Sequence, residues 1–174
     1  MNKKNRKIER LCGFYVSDWH LATMLLPYIS KKLEENTKVI TILEKGIEEN
    51  IKILLKRLNL NNKNDILKIN WKNINSNKYT KIKELLNKET KKDTQNIILI
   101  NGKKEFIIEN NQNIDKWIER KNLKTLKIIN LFEVTEFNNN IIKILDRHDK
   151  ILNTSGEKDI SEVFEGYKRK NTAI

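Results

Sequence analysis

The distribution of apolar residues along the chain predicts short buried strands that alternate with longer amphipathic helices. The predicted strands are nearly continuous runs of β-branched and other apolar residues, which is typical of strands covered on both faces, as in parallel sheets. Five such runs lie at residues 11–16, 38–43, 66–70, 96–101 and 126–131, and a short edge strand is predicted at residues 150–153.

The segments between these runs carry apolar residues at the three- and four-residue spacing of helices. They predict helices at residues 21–33, 47–58, 78–91, 113–121, 138–147 and 159–167. Ser17 or Asp18 is placed to cap the first helix. Pro27 inside it is expected to kink the helix or to mark its true start, because proline removes one helical hydrogen bond.

Strands alternating with helices of this length predict right-handed crossover connections and a mainly parallel sheet. The expected fold class is therefore α/β, a three-layer doubly wound sheet of the RecA or Rossmann-like kind. One proline and five glycines leave no Pro/Gly/Ser-rich linker. We predict one α/β domain over residues 1–156, followed by a C-terminal helix and a basic tail over residues 157–174.

The chain is strongly basic, with 35 Lys and Arg against 23 Asp and Glu and a formal charge of +12. Such an excess favours anionic partners. Lys, Asn and Ile recur at nearly every tolerant position, however, as expected of an AT-rich genome. Weak, sequence-indifferent binding of nucleic acid is therefore kept as an alternative, and it would require lysines clustered on one side of the domain.

Several classes of activity have no motif in this chain. It contains neither of the glycine-rich loops that hold phosphates, Gly-x4-Gly-Lys-[Ser/Thr] and Gly-x-Gly-x-x-Gly, nor a Gly-x-Ser-x-Gly nucleophile elbow. One cysteine and two histidines are too few for a Cys/His zinc site. We expect no catalysis, no cofactor and no metal, and we expect Cys12 to be inert and buried.

The expected location is the cytoplasm. No apolar stretch approaches the roughly 18 residues of a membrane span, and the charged amino terminus lacks the apolar core of a signal peptide.

The richest polar cluster is Ser17-Asp18-Trp19-His20, between the first predicted strand and the first helix. Open α/β sheets bind ligands beyond the carboxyl ends of their strands. Asn101 and Gly102 follow the strand at 96–101, and Glu133 follows the strand at 126–131. These seven residues form the predicted binding site for a small molecule or a partner protein. An enzyme that uses Asp18, His20 and Glu133 is the less favoured alternative.

His148 lies in Asp146-Arg147-His148-Asp149 at the end of a predicted helix. A protonated histidine there would interact favourably with the negative end of the helix dipole. We therefore expect a structural cation at this position.

Two stretches resemble a known family. The opening CGFYVSDWHLATMLLPYISKKLEENTKVITIL and the close INLFEVTEFNNNIIKILDRHDKIL are similar to the start and end of the MEDS sensory domain, found in regulators of methanogens and methylotrophs. Residues 25–29, LLPYI, carry the first similarity. Phe132, Glu133, Phe137 and His148 carry the second. The segment 71–109 and the residues Val134-Thr135-Glu136 depart from the family's pattern.

The resemblance implies a RecA-like three-layer domain without a phosphate loop, used as a sensor in signalling and transcription regulation. Together with the missing catalytic motifs, it predicts a non-catalytic sensory or regulatory domain that binds a small molecule or a signalling partner protein.

Overall fold

Six strands form one sheet in the computed structural model, which describes residues 7–121, 123, 125–136 and 141–169. The strands are β1 (Lys7–Tyr15), β2 (Lys38–Leu43), β3 (Asn96–Gly102), β4 (Thr125–Glu133), β5 (Lys150–Asn153) and β6 (Gly156–Lys158). Their order across the sheet is β2-β3-β4-β1-β5-β6, and every neighbouring pair is parallel except the antiparallel β5 and β6. The predicted mainly parallel α/β fold is confirmed.

Helices cover both faces of this sheet. They are α1 (Asp18–Glu34), α2 (Glu48–Arg57), α3 (Lys63–Lys68), α4 (Tyr79–Glu89), α5 (Lys104–Ile118), α6 (Ile141–Asp146) and α7 (Ile160–Val163). Apolar residues of α1, α2 and α3 share one core with one face of the sheet. Those of α4 to α7 share a second core with the other face. The strands read as continuous apolar runs because successive side chains enter different cores.

The strand order creates a switch point between β1 and β4. The chain leaves β1 through α1 toward the β2 edge, whereas it leaves β4 through α6 and passes over β1 to β5. These two neighbouring strands are thus followed by helices on opposite faces, and a crevice is expected at their carboxyl ends. Tyr15 is in register with Glu133 at that edge.

The predicted strand at residues 66–70 is wrong. Residues 63–68 form the helix α3 instead, and the sixth strand of the sheet is β6, at residues 156–158. In α3 only Ile66 is buried, whereas Leu67 is 45% exposed, so the short apolar run is not covered on both sides. Periodicity alone does not separate a helix from a strand in so short a run.

Helix α5 begins at Lys104, nine residues before the predicted start at 113. The helix was predicted to start too late because its middle contains several asparagines, and asparagine is unfavourable in helix interiors. Here their side chains bond within the fold: Asn110 and Asn111 donate to the carbonyls of Phe106 and Ile107, and Asn113 donates to that of Asn77.

Pro27 neither ends α1 nor marks its start, since the helix runs on both sides of it. Pro27 and Thr23, whose carbonyl loses its helical donor, both lie on the exposed side of the helix. Water can satisfy that carbonyl, which is why the proline is tolerated there.

The last helix of the chain is shorter than predicted. Helix α7 covers four residues of the predicted 159–167, and the predicted domain boundary at residue 156 falls on the first residue of β6. Residues 138–140 of the fifth predicted helix and residues 170–174 of the tail lie outside the described residues. Within the described part of the chain, no helix combines the length and apolar character needed to cross a bilayer.

Candidate functional site

Ser17 and His20 hold the turn that joins β1 to α1. The Ser17 Oγ accepts a hydrogen bond from the His20 backbone N–H at 3.1 Å, which caps the helix as predicted. The Nδ1 atom of His20 accepts from the Val16 backbone N–H, also at 3.1 Å. These two hydrogen bonds fix the backbone of the turn.

Asp18 and Glu133 both act on the same lysine, Lys45. The Lys45 Nζ is 3.0 Å from the Asp18 Oδ2. The Asp18 carboxylate, as a hydrogen-bond acceptor, raises the pKa of Lys45, and the charge of Glu133 adds to this effect. The structure thus brings Asp18 and Glu133 to one edge of the sheet and adds Lys45, which the sequence did not indicate.

Asn101 has its polar atoms engaged inside the protein. It is 1% exposed, its Oδ1 accepts from the Glu44 N–H at 3.1 Å, and its Nδ2 donates to the Lys45 carbonyl at 3.2 Å. The Glu44 carboxylate in turn accepts from the Lys103 N–H at 2.9 Å. Asn101 therefore fixes the loop that carries Lys45.

Gly102 is held in a conformation that favours glycine. Its φ is +149°, and a Cβ added there would lie 2.7 Å from the Glu44 Cβ and 3.0 Å from the Phe106 ring. Both the positive φ and this contact disfavour any larger residue.

We expect Gly102→Ala to lower the free energy of unfolding by about 1–3 kcal/mol, because it combines backbone strain with a clash against Glu44. Urea unfolding followed by circular dichroism measures the change. Gly156→Ala is the matched control for positive φ alone, since nothing lies within 4 Å of a Cβ built there. Equal losses in the two variants would contradict the role of the Glu44 contact.

An exposed apolar patch lies at the same edge. Val16, Trp19 and Val134 are 64%, 48% and 40% exposed. Val16 and Val134 directly follow the paired residues Tyr15 and Glu133, and Trp19 is in the first turn of α1. We call these three residues the Trp19 patch.

The alternative that requires Asp18, His20 and Glu133 to act together gains no support from the contacts. Among the described residues, Asp18 pairs with Lys45 and His20 bonds to Val16, and no hydrogen bond joins the three. No group of three His, Cys, Asp or Glu side chains in this part of the chain is arranged to hold a metal ion. Burial raises the pKa of Cys12 to about 12, so its thiol stays protonated.

A cavity of about 410 Å³ lies between α5 and α6, away from these residues. Its floor contains the buried side chains of Asn130 and His148, with Asn111 on the α5 side. The Asn111 Nδ2 donates to the Asn130 Oδ1 at 2.8 Å, and the Asn130 Nδ2 is 2.9 Å from the His148 Nε2. We call this cavity the α5–α6 pocket.

His148 corrects the expectation of a structural cation. It is 5% exposed, and burial lowers its pKa to about 4, so the ring is neutral at pH 7. The His148 Nδ1 is 2.5 Å from the Ile144 carbonyl, which can only accept. The proton is therefore on Nδ1, and Nε2 accepts from Asn130.

A second cavity of about 550 Å³ runs along the outer edge of β2, next to α3 and α4. Of the lysines that line it, Lys38 pairs with Glu89 at 3.0 Å and Lys68 with Asp65 at 3.6 Å. Its charges are thus partly neutralised within the protein.

Exposed lysines are present on helices of both layers. Examples are Lys31 on α1, Lys56 on α2, Lys81 on α4 and Lys116 on α5. The nucleic-acid alternative required lysines clustered on one face, whereas the described residues carry exposed lysines on both. That alternative stays a prediction.

The chain matches no protein-family model, and comparisons with curated proteins and with solved structures find no match. The resemblance to the MEDS domain stays a prediction, and Phe137, one of the residues that carry it, lies outside the described residues.

Proposed function

We propose that this protein is a non-catalytic sensory or regulatory domain that binds a signalling partner protein through the Trp19 patch. The observation that carries the proposal is the half-exposed indole of Trp19, which lies with two exposed valines beside the switch point of the sheet. Exposed apolar residues that cluster within a polar rim are typical of interaction sites, and tryptophan is enriched among the residues that dominate binding.

The surroundings of the patch suit a protein partner. Asp18, Lys45 and Glu133 provide charges of both signs next to the apolar surface. The turn beneath the patch is held by the Ser17 and His20 hydrogen bonds, so Trp19 is presented from a fixed backbone. Apolar anchors surrounded by polar groups are the usual arrangement of a protein interface.

The expected result is that Trp19→Ala weakens partner binding at least about tenfold, because it removes the main apolar anchor. It should change the free energy of unfolding by less than about 0.5 kcal/mol, since the side chain is half exposed. Partners are cross-linked to tagged protein in native lysate and quantified for the wild type, Trp19→Ala and the control Leu67→Ala.

Leu67 is a matched control because it is 45% exposed on α3, outside the patch. A partner whose capture falls with Trp19→Ala but not with Leu67→Ala supports the proposal. If all three proteins capture the same partners to the same extent, the Trp19 patch is not the docking surface.

Tryptophan fluorescence gives a second measurement on the purified partner. Trp71 and Trp117 are each 1% exposed, so Trp19 is the tryptophan open to solvent and to an aqueous quencher. Partner binding should shift the emission and protect the quenchable fraction. An unchanged quenchable fraction at saturation would contradict contact with Trp19.

A further inference from the structure

We propose that the α5–α6 pocket binds a small organic molecule that carries a carboxylate or phosphate group. The anionic group would lie among Lys104, Lys143 and Arg147, and the rest of the molecule would lie over the Asn111, Asn130 and His148 side chains. The proposal goes beyond partner binding and shares no residue with the Trp19 patch, so either proposal can fail without the other.

The first argument is the polar floor. Asn130 is on the face of β4 that points into the second core, where its strand neighbours Ile128 and Phe132 are buried and apolar. An amide in such a position is costly unless it is hydrogen-bonded. Asn111 and His148 provide those bonds, and all three side chains line the cavity.

The floor also has a defined hydrogen-bonding character. Because the Nδ1 proton of His148 is held by the Ile144 carbonyl, the Asn130 amide must donate to Nε2. The Asn130 Oδ1 accepts from Asn111 and keeps a second lone pair. A ligand that donates a hydrogen bond, such as an alcohol or amide beside its anionic group, would be recognised there.

The second argument is the charge of the rim. Lys104, Lys143 and Arg147 line the pocket, and none of them forms an ion pair with a carboxylate in the part of the chain that the structure describes. The Asp115 carboxylate that also lines it is held by the Arg10 guanidinium. The pocket therefore carries excess positive charge that its own acid does not neutralise.

The third argument is the size and apolar lining. Ile107, Phe132 and Ile144 form apolar walls around the polar floor. A largely apolar cavity of several hundred Å³ with a few placed polar groups is the usual form of a small-molecule site. The larger groove at β2 lacks this combination, because two of its lysines are paired with acids.

Three small probes test the proposal by NMR titration of the backbone amides at constant ionic strength. Phenyl phosphate and benzoate carry the two anionic groups on the same ring, and benzamide is a neutral counterpart. We expect saturable shifts in residues 104–118 and 141–148 with one or both anions and none with benzamide. The stronger anion distinguishes phosphate from carboxylate as the natural group.

The double variant Lys143→Gln/Arg147→Gln removes two rim cations from exposed positions. It should weaken the binding of the anion about tenfold, since it removes charge-assisted hydrogen bonds. Lys56→Gln/Arg57→Gln is the matched control, because it removes the same two charged groups from exposed positions on α2, in the opposite layer. It should change affinity less than about twofold, since distant exposed charges are screened.

Ile108→Trp provides a second variant, in which a half-buried wall residue is enlarged to fill the cavity. It should abolish the shifts while circular dichroism shows a folded protein. The proposal is overturned if neither anion gives a saturable response, if benzamide binds as tightly, or if the α2 control loses as much affinity as the rim variant.

Discussion

Replacement of Trp71 by alanine is expected to lower the free energy of unfolding by about 3–5 kcal/mol. Trp71 is 1% exposed within the core that α1, α2 and α3 share with the sheet. Its Nε1 donates to the Ile66 carbonyl of α3 at 2.9 Å. The substitution would leave a large cavity and remove one of the two donors to the Ile66 carbonyl, the other being the Ile69 N–H, and both effects act in the same direction.

Urea unfolding followed by far-UV circular dichroism measures this loss without depending on the tryptophan removed. Trp71→Phe separates the two effects, because it keeps most of the volume but not the hydrogen bond. Its expected loss is smaller than that of alanine. A loss near zero for Trp71→Ala would show that α3 is held by other contacts.

The second large effect is expected for Lys127→Met. The Lys127 side chain is buried on β4, where its Nζ contacts a Glu157 carboxylate oxygen and lies 3.6 Å from the Glu9 Oε1. Methionine fills a similar volume but leaves two partly buried carboxylates without their cation. Loss of one partner from a buried ion pair typically costs about 3–5 kcal/mol.

The pH dependence of that loss identifies its cause. Burial opposes ionisation of Glu157, but hydrogen bonds from the Lys127 Nζ and the Tyr28 Oη outweigh it and lower the Glu157 pKa below its usual 4.5. In the wild type this contribution to stability is present above the unfolded pKa and is lost as pH falls through the folded one. In Lys127→Met, protonation instead relieves the unpaired charge.

The difference in the free energy of unfolding between wild type and Lys127→Met should therefore be larger at pH 7 than at pH 4. Urea unfolding at both values measures it. The double variant Lys127→Met/Glu157→Gln should recover part of the loss at pH 7, because Tyr28 can still donate to the glutamine carbonyl. A difference that does not change with pH would assign the loss to packing instead.

The predicted binding site shows which features of a site can be predicted from the sequence. The position of Ser17 to His20 after the first strand predicted a capped helix at the carboxyl edge of the sheet, and the capping bond is present. Asn101 and Gly102 were also placed at this edge, but whether a side chain faces a ligand or fixes a loop depends on its neighbours. The Asn101 side chain fixes a loop, because it bonds to the Glu44 N–H and the Lys45 carbonyl.

The α5–α6 pocket was not predicted. One signal was present, since Asn130 and Lys127 are the two polar residues inside a run predicted to be buried on both faces. Its partners Asn111 and His148 lie 19 and 18 residues away along the chain, on other elements. Their meeting depends on α5 and α6 covering the same face of the sheet.

By itself, the sequence determined the class of fold, because continuous apolar runs and helical periodicity are local consequences of burial on two faces or on one. Only the tertiary structure decided the strand order, and with it the partners of Lys127, the Lys45 contact of Asp18 and the neutral state of His148. The physical reason is that hydrogen bonds and ion pairs between distant residues leave no periodic pattern in the chain, whereas burial does.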